Sequence, residues 1–512
     1  MDAQETRQEE IDRLAKRLAE LAVEDQRRAG VFDGVPSFIV LEQAAHQLGQ
    51  RVSRAAQERG MREVVANAPT TACCPGCDRE CELSVKRRSV QSKDGTVELD
   101  EPEGYCPRCR RAFFPLRTDL MLDSRGVTPE LVRVVIHAAG EIRSYERAAL
   151  AMERLLGVST SAKTIERLVG QVGMELADLR DSSDEPLSGQ EKIESPPEVA
   201  NVSCDGGRTR TRQMGQGPGV HGPLWRETKN SSFERMTAQT SEEDPHPELP
   251  RAFCNPARVA NIAENTPLIV ESVEDQNVSH ESSEAPQRLV RTCLSSMADA
   301  DTFGQQMKKE AKRRSFYEAE RRSFSSDGLS WNWSIWRNYF PTFTPILDFI
   351  HALAYVYAAA KAIGTSDKHR WACYLEMSTN CWQGQVDEVI SAMRRWLQHQ
   401  GIEDGRELSE DDPRKAVTTA VRYLNNNRKR MDYPRYRRMG LPVTSSPMES
   451  LIKQINYRVK GTEMFWNDPD GAEAILQVRA ATLSDDDRLD GYLRRRPGWP
   501  YVRRSTQPSL AG

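Results

Sequence analysis

Two cysteine pairs constrain this chain more than any other feature. "CPGC" holds Cys74 and Cys77, and "CPRC" holds Cys106 and Cys109. Each pair sets two thiols on one side of a tight turn. Two such turns facing each other complete a closed tetrahedral all-sulfur site of the kind zinc takes. A closed site is structural, because catalysis needs an open ligand position. The segment between the pairs, "ECELSVKRRSVQSKDGTVELDEPEGYC", is rich in strand formers, and a hairpin there absorbs the long spacing. Redox thiols are the alternative reading. Cys73 and Cys81 are close enough for either to replace a ligand. The chain has eleven cysteines, and in a cytoplasmic protein these point to thiols or metal sites rather than a disulfide framework.

The N-terminus, "MDAQETRQEEIDRLAKRLAELA", is charged from the start and lacks the apolar core of a signal peptide. No apolar run approaches the roughly 18 to 20 residues of a membrane span. A cytoplasmic location is expected. With 512 residues, 38% hydrophobic and 29% charged, the chain has room for several domains with packed cores. Its net charge of −4 gives no whole-chain argument for nucleic acid. The charge is unevenly placed, however. "NNNRKRMDYPRYRRMG" carries Arg428, Lys429, Arg430, Arg435, Arg437 and Arg438 against Asp432 alone. Such runs are either solvated helix faces or nucleic-acid contacts.

Periodicity and breakers divide the chain. Residues 1–68 read as a helical arm, with Ile11, Leu14, Leu18 and Leu21 at helical spacing and a break near "RAGVFDGVPSF". Residues 69–122 hold the zinc-ribbon-like module. In residues 123–180, Thr128 is a candidate N-cap and Pro129 a first helical residue. "SYERAALAMERLLGVSTSAKTIERLVGQVG" follows with helix, a turn at Gly157 and a second helix, which is helix-turn-helix spacing or a plain helical hairpin. The polar, proline-containing stretch 181–198 reads as a linker. Strands are expected at "EVANVSC", "LWRETKNSSFERM", "TPLIVESV", "SFSS" and "TPIL". Helix is expected over 291–320 and through most of 350–430.

Three acids share a context. Asp205 in "NVSCDGG" and Asp327 in "SFSSDGLSWNW" each follow a strand, where Asp-Gly turns the chain at a sheet edge. Glu449 in "TSSPMESLIKQI" lies in a first helical turn. Two Asp and one Glu with open positions suit Mg2+ or Mn2+, which keep water and substrate phosphate as further ligands. The bland reading is that Asp-Gly is a common turn and a helix dipole favours Glu near its N-terminus. Asp348 in "PILDFIHA" ends another apolar run, with His351 one helical turn on.

These segments, in this order, resemble the DDE transposases of ISKra-type bacterial insertion sequences. The resemblance runs from about residue 70 to 485 by eye. It is carried by the cysteine pairs, "CDGG", "SDGLSWNW", "ILDFIHA", "YLNNNRKRMDYPRYRRMGLPVTSSPMES" and "VKGTEMFW". It departs from the family at Ser326 and "TSSP", where glycines are usual, and around 237–290. The resemblance implies a multidomain α+β fold: helical arm, zinc-ribbon-like module, helix-turn-helix, and an RNase H-like α/β catalytic core with a helical insertion. The core would comprise 199–352, with a variable insertion at about 237–290, and 441–485. The helical insertion would be 353–440, and 486–512 a basic tail.

The resemblance implies that Asp205, Asp327 and Glu449 hold two Mg2+ or Mn2+ ions, while Asp348 and His351 support the site from beside it. The activity implied is cleavage at transposon ends and transfer of the freed 3′-OH to target DNA. Arg428, Lys429, Arg430, Arg435, Arg437, Arg438, Lys453, Arg458 and Lys460 would lie along DNA phosphates. Lys163, Thr164 and Arg167 would read terminal inverted repeats in the major groove. Phe465 and Trp466 are core residues or a stacking platform. Double-stranded DNA is the expected partner and the bacterial nucleoid the expected place. Joining two DNA ends implies at least a dimer. The alternative is a zinc and helix-turn-helix DNA-binding protein without catalysis, either domesticated or decayed.

Overall fold

The computed structural model describes residues 6–182, 195–212, 224–263, 285–403, 406, 408–444, 446–461 and 465–501. The expected strand "TPLIVESV" and most of the expected linker lie outside these residues. Two compact units emerge: residues 1–135, 149–161 and 493–512, and residues 136–148 and 162–492.

In the first unit, α1 (Arg7–Arg28) opens on a capping box between Thr6 and Glu9. It buries none of its residues, so Ile11, Leu14, Leu18 and Leu21 face solvent. α2 (Phe38–Ala66) packs on β3 of a four-stranded sheet made of β1 (Thr71–Cys73), β2 (Glu80–Ser92), β3 (Gly95–Cys106) and β4 (Arg111–Phe113). β2 and β3 form the long hairpin, in antiparallel register from Leu83–Gly104 to Ser92–Gly95. The short helix α3 (Leu116–Asp119) follows. The expected basic tail is in part a packed strap. Trp499 N–H donates to the Leu122 carbonyl at 2.9 Å and Phe114 N–H to the Pro500 carbonyl at 2.7 Å. The aromatic Trp499 and Tyr501 give that segment something to bury.

α4 (Pro129–Glu141) and α5 (Tyr145–Leu156) cross the division between the units. α6 (Ala162–Ser182) belongs to the second unit. Ile165, Leu168, Val169, Val172 and Leu176 form its buried stripe. The second helix of the expected helix-turn-helix is 21 residues long and packs along a core helix.

The second unit is built on β5 (Val199–Thr211), β6 (Leu224–Thr237), β7 (Gln287–Ser296), β8 (Arg321–Ser326) and β9 (Thr344–Leu347), in the order β7-β6-β5-β8-β9. β6 runs antiparallel to both β5 and β7, whereas β8 and β9 run parallel to β5. Val199 to Cys204 are all buried, as in a central strand covered on both faces. β7 corrects the expected helix at 291–320: residues 287–296 pair with β6, and helix begins only at α8. Val290, Thr292 and Cys293 suit a pleated, covered strand better than a helix.

The helices of this unit follow in chain order. α7 (Pro256–Ile262) precedes β7, α8 (Ala300–Arg313) follows it, and α9 (Ser330–Tyr339) follows β8. After β9 come α10 (Phe349–Ile363), α11 (Asp367–Trp382), α12 (Val386–His399), α13 (Lys415–Asn427) and α14 (Tyr433–Arg438), an all-helical stretch. α15 (Ser446–Val459) returns to β5 and β6. α16 (Pro469–Thr482) packs on β7 and α6, and α17 (Arg488–Leu493) ends the unit. Among the described residues no helix is long and apolar enough to cross a membrane.

Candidate metal centres

Register decides what meets at the carboxyl ends of the parallel strands. Cys204 pairs with Ser326, and Ser326 with Leu347. The next residues are Asp205, Asp327 and Asp348. These three residues therefore follow directly on the paired ends of neighbouring parallel strands, at one end of the sheet. The sheet-edge turn expected at Asp205 is absent, because β5 runs on through both glycines to Thr211 while β8 stops. Asp205 therefore lies where the sheet loses its parallel neighbour.

At Asp327 the chain does turn. Gly328 has φ +97°, and a Cβ there would meet the Tyr423 ring at 2.9 Å. Only glycine suits that position. One Asp327 carboxylate oxygen accepts from Asn332 Nδ2 at 2.6 Å and from Leu329 N–H at 3.0 Å. Tyr423 O–H donates to the Asp327 carbonyl at 2.5 Å, and its ring stacks on Tyr355 with centroids 3.7 Å apart. Asp348 is fully buried. Its side chain caps α10, and its N–H donates to the Ser326 carbonyl at 2.9 Å. Its other carboxylate oxygen is 2.5 Å from His351 Nδ1.

Glu449 arrives from the first turn of α15. One ligand atom from each of Asp348, His351 and Glu449 lies within 4.8 Å of the others. Asp205, Asp327 and Glu449 do not form such a group among the described residues.

Charge ties the two sets together. Burial and then the charge of Asp327 push the Asp205 carboxyl up to about 6, Asp348 adds to the rise, and His351 opposes it. Burial alone would lower the His351 imidazole. The hydrogen bond to Asp348 and the charges of Asp348, Asp327 and Asp205 overcome that and raise it to about 9. Four carboxylates and one imidazole therefore share one end of the sheet. Neighbouring carboxylates resist joint ionisation, and a divalent cation relieves that repulsion. Asp348, His351 and Glu449 could hold a metal ion.

The cysteine pairs meet in the first unit. Cys74 and Cys109 sulfurs are 3.9 Å apart, and those of Cys77 and Cys106 are 3.6 Å apart. A tetrahedron with Zn–S bonds of about 2.3 Å has edges of about 3.8 Å, so the four thiols fit zinc. Cys109 N–H donates to the Cys106 sulfur at 3.4 Å, and this and the other thiols lower the Cys106 pKa. Cys73 and Cys81 stand outside the four. Cys81 is buried, and its thiol donates to the Arg79 carbonyl.

The cations proposed for DNA divide by burial. Arg428, Lys429, Arg435, Arg438, Lys453, Lys460 and Lys163 are exposed, and Thr164 and Arg167 are half-buried. Arg430 is half-buried, its guanidinium over the Trp333 ring. Two residues need correcting. Arg437 is buried, with Nε 2.8 Å from Asp244 and the Trp382 carbonyl as a further acceptor. Arg458 is 1% exposed, donates to the Ala139 carbonyl at 2.7 Å, and lies near the Tyr145 and Trp466 rings. A guanidinium enclosed in this way cannot lie along a DNA backbone. Trp466 is also structural, its Nε1–H donating to the Val459 carbonyl, whereas Phe465 is exposed beneath Arg212.

Sequence reasoning did not single out Asn332, Tyr423 or Tyr355. Asn332 had a signal, five residues after Asp327 inside "LSWNWS". Tyr423 had none, since it reaches Asp327 from 96 residues away.

No protein-family profile matches the chain, and no curated protein sequence does. Among solved structures it is similar to the Drosophila P element transposase strand transfer complex, at 11% identity and a TM-score of 0.29, over 71% of this chain and 93% of that one. A likeness this distant assigns no function.

Proposed function

We propose that this chain is a DNA transposase of an insertion sequence, cleaving transposon ends and transferring strands on an RNase H-like core. Five strands support the core assignment: three antiparallel ones in chain order, then two parallel additions beside the first. The observation that carries the reaction is the register that sets Asp205 beside Asp327, with Glu449 brought to the same end of the sheet by α15.

In this reading Asp205, Asp327 and Glu449 hold the divalent ions. Bound Mg2+ or Mn2+ would activate the attacking oxygen and stabilise the leaving oxygen of an in-line displacement. The chain's own residues prepare the place. Asn332 and Leu329 N–H fix the Asp327 carboxylate, Tyr423 fixes its backbone, and Asp348 locks β9 to β8 and orients His351. Arg428, Lys429, Arg435, Arg438, Lys453 and Lys460 supply sequence-independent phosphate contacts.

The test is nicking of a labelled duplex carrying the element's end, with Mg2+ or Mn2+, by wild type and by Asp327→Asn. Wild type is expected to nick and the variant to lose at least about a thousandfold in rate, the scale of removing a metal's electrostatic contribution. Equal nicking by both would remove Asp327 from the mechanism.

A further inference from the structure

Asp348, His351 and Glu449 each bring a ligand atom within 4.8 Å of the others at this end of the sheet. We propose that His351 is itself a ligand of one of the cations, through Nε2, and that the site therefore takes Mn2+ in preference to Mg2+. This rests on the reading that Asp205, Asp327 and Glu449 hold divalent ions.

The argument starts from Asp348. Its carboxylate is fully buried and already engaged: one oxygen caps α10 through Ile350 N–H, and the other meets His351 Nδ1 at 2.5 Å. That makes Asp348 an orienting group. With Nδ1–H donated to Asp348, Nε2 is the nitrogen whose proton a cation would displace to gain a lone pair. Histidines that bind metals are held in this way, with one ring nitrogen on a carboxylate and the other on the ion. The ring has the right neighbours. Glu449 comes within 4.8 Å, and the charges of Asp327 and Asp205 act on it. The side chain is 31% exposed, which leaves the ring accessible while Asp348 stays sealed.

Ligand type then decides the ion. Mg2+ demands oxygen donors, whereas imidazole favours first-row transition ions. Among the first-row transition ions, Mn2+ is the one that shares with Mg2+ a suitability for carboxylate and water ligands in octahedral geometry, so it can take the carboxylates together with the imidazole. His351 is thus a specificity-determining ligand, and Asp348 its positioning residue.

The experiment uses the full, tag-free chain with its four-cysteine site loaded with zinc, and reads binding apart from catalysis. Mn2+ is titrated in and followed by electron paramagnetic resonance. Pulsed measurements then look for nitrogen coupling to the bound ion, in wild type, His351→Gln and Asp327→Asn. Wild type is expected to bind Mn2+ at least about tenfold more tightly than Mg2+, with coupling to one imidazole nitrogen. His351→Gln should lose that coupling and at least about tenfold in Mn2+ affinity, while Mg2+ affinity stays within about twofold. Mn2+ bound by wild type without nitrogen coupling, and still lost in Asp327→Asn, would overturn the role of His351 and leave the carboxylate reading standing. Unchanged Mn2+ affinity in Asp327→Asn, or no Mn2+ bound by a folded wild type, would overturn both. The wild-type spectrum decides the first point even if a variant fails to fold.

Discussion

Glu310 lies fully buried among three arginines, bonded to Arg488 at 2.6 Å, Arg314 at 2.7 Å and Arg313 at 3.2 Å. Burial alone would raise its carboxyl. The charges of Arg488, Arg314 and Arg313 prevail and hold it at about 2. Its ordinary value is 4.5, so the folded state binds the proton less readily than the unfolded chain does. The stability it contributes is fully present above 4.5 and is lost as pH falls from there through about 2. Denaturant unfolding of Glu310→Gln at pH 7 should show a loss of about 3–5 kcal/mol, because Arg313 loses this carboxylate and Asp486 is left as the buried acid bonded to Arg314 and Arg488. The variant should also lose the share of the acid dependence between those two values that Glu310 contributes.

The arginines named for DNA separate by the same reasoning. Arg458→Ala should destabilise the fold by about 2–4 kcal/mol, since it removes a buried charged hydrogen-bond donor and its packing. Lys453→Ala should leave stability within about 0.5 kcal/mol and reduce the salt dependence of DNA affinity by about one phosphate contact. A stable Arg458→Ala with a reduced salt slope would return that residue to the DNA surface.

At the scale of elements, two packings matter. α6 meets α16 at Gly173, where a Cβ would lie 2.2 Å from the Ala474 carbonyl oxygen. Gly173→Ala must push the helices apart, and thermal unfolding should show a cost of about 1–3 kcal/mol. In the first unit, zinc analysis of the purified chain should find one equivalent. Cys74→Ser should lose it and Cys73→Ser should keep it, while retention of zinc in Cys74→Ser would reassign the ligand set.

Much at this scale was legible in the sequence. The hairpin between the cysteine pairs and the strands ending at Asp327 and Asp348 show in local composition. β7 did not. "RLVRTCLSS" has apolar residues compatible with either period, and only its pairing with β6 selects strand. Arg437 and Arg458 looked like surface charges because their acceptors, Asp244 and the Ala139 carbonyl, lie 193 and 319 residues away. The candidate site was half legible: Asp-Gly after a strand marked Asp327 for a physical reason, but at Asp205 the strand continues. The contact of His351 and Asp348 with Glu449 depends on α15 returning after the long helical stretch α10–α14, which local sequence does not encode.

For the whole molecule, the second unit carries the acids on a mixed sheet and the first carries the four thiols, with exposed cations available for a polyanion. The account requires that Asp205, Asp327 and Glu449 act together. Strand joining tests this most directly: a pre-nicked transposon end with a free 3′-OH, target DNA and Mn2+ are incubated with wild type, Asp205→Asn, Asp327→Asn and Glu449→Gln, each checked for folding and DNA binding. Wild type should form the joined product, and each variant should lose at least about a thousandfold while still binding DNA. A wild type that binds the ends yet joins nothing, or variants that join as well as it does, would contradict the account.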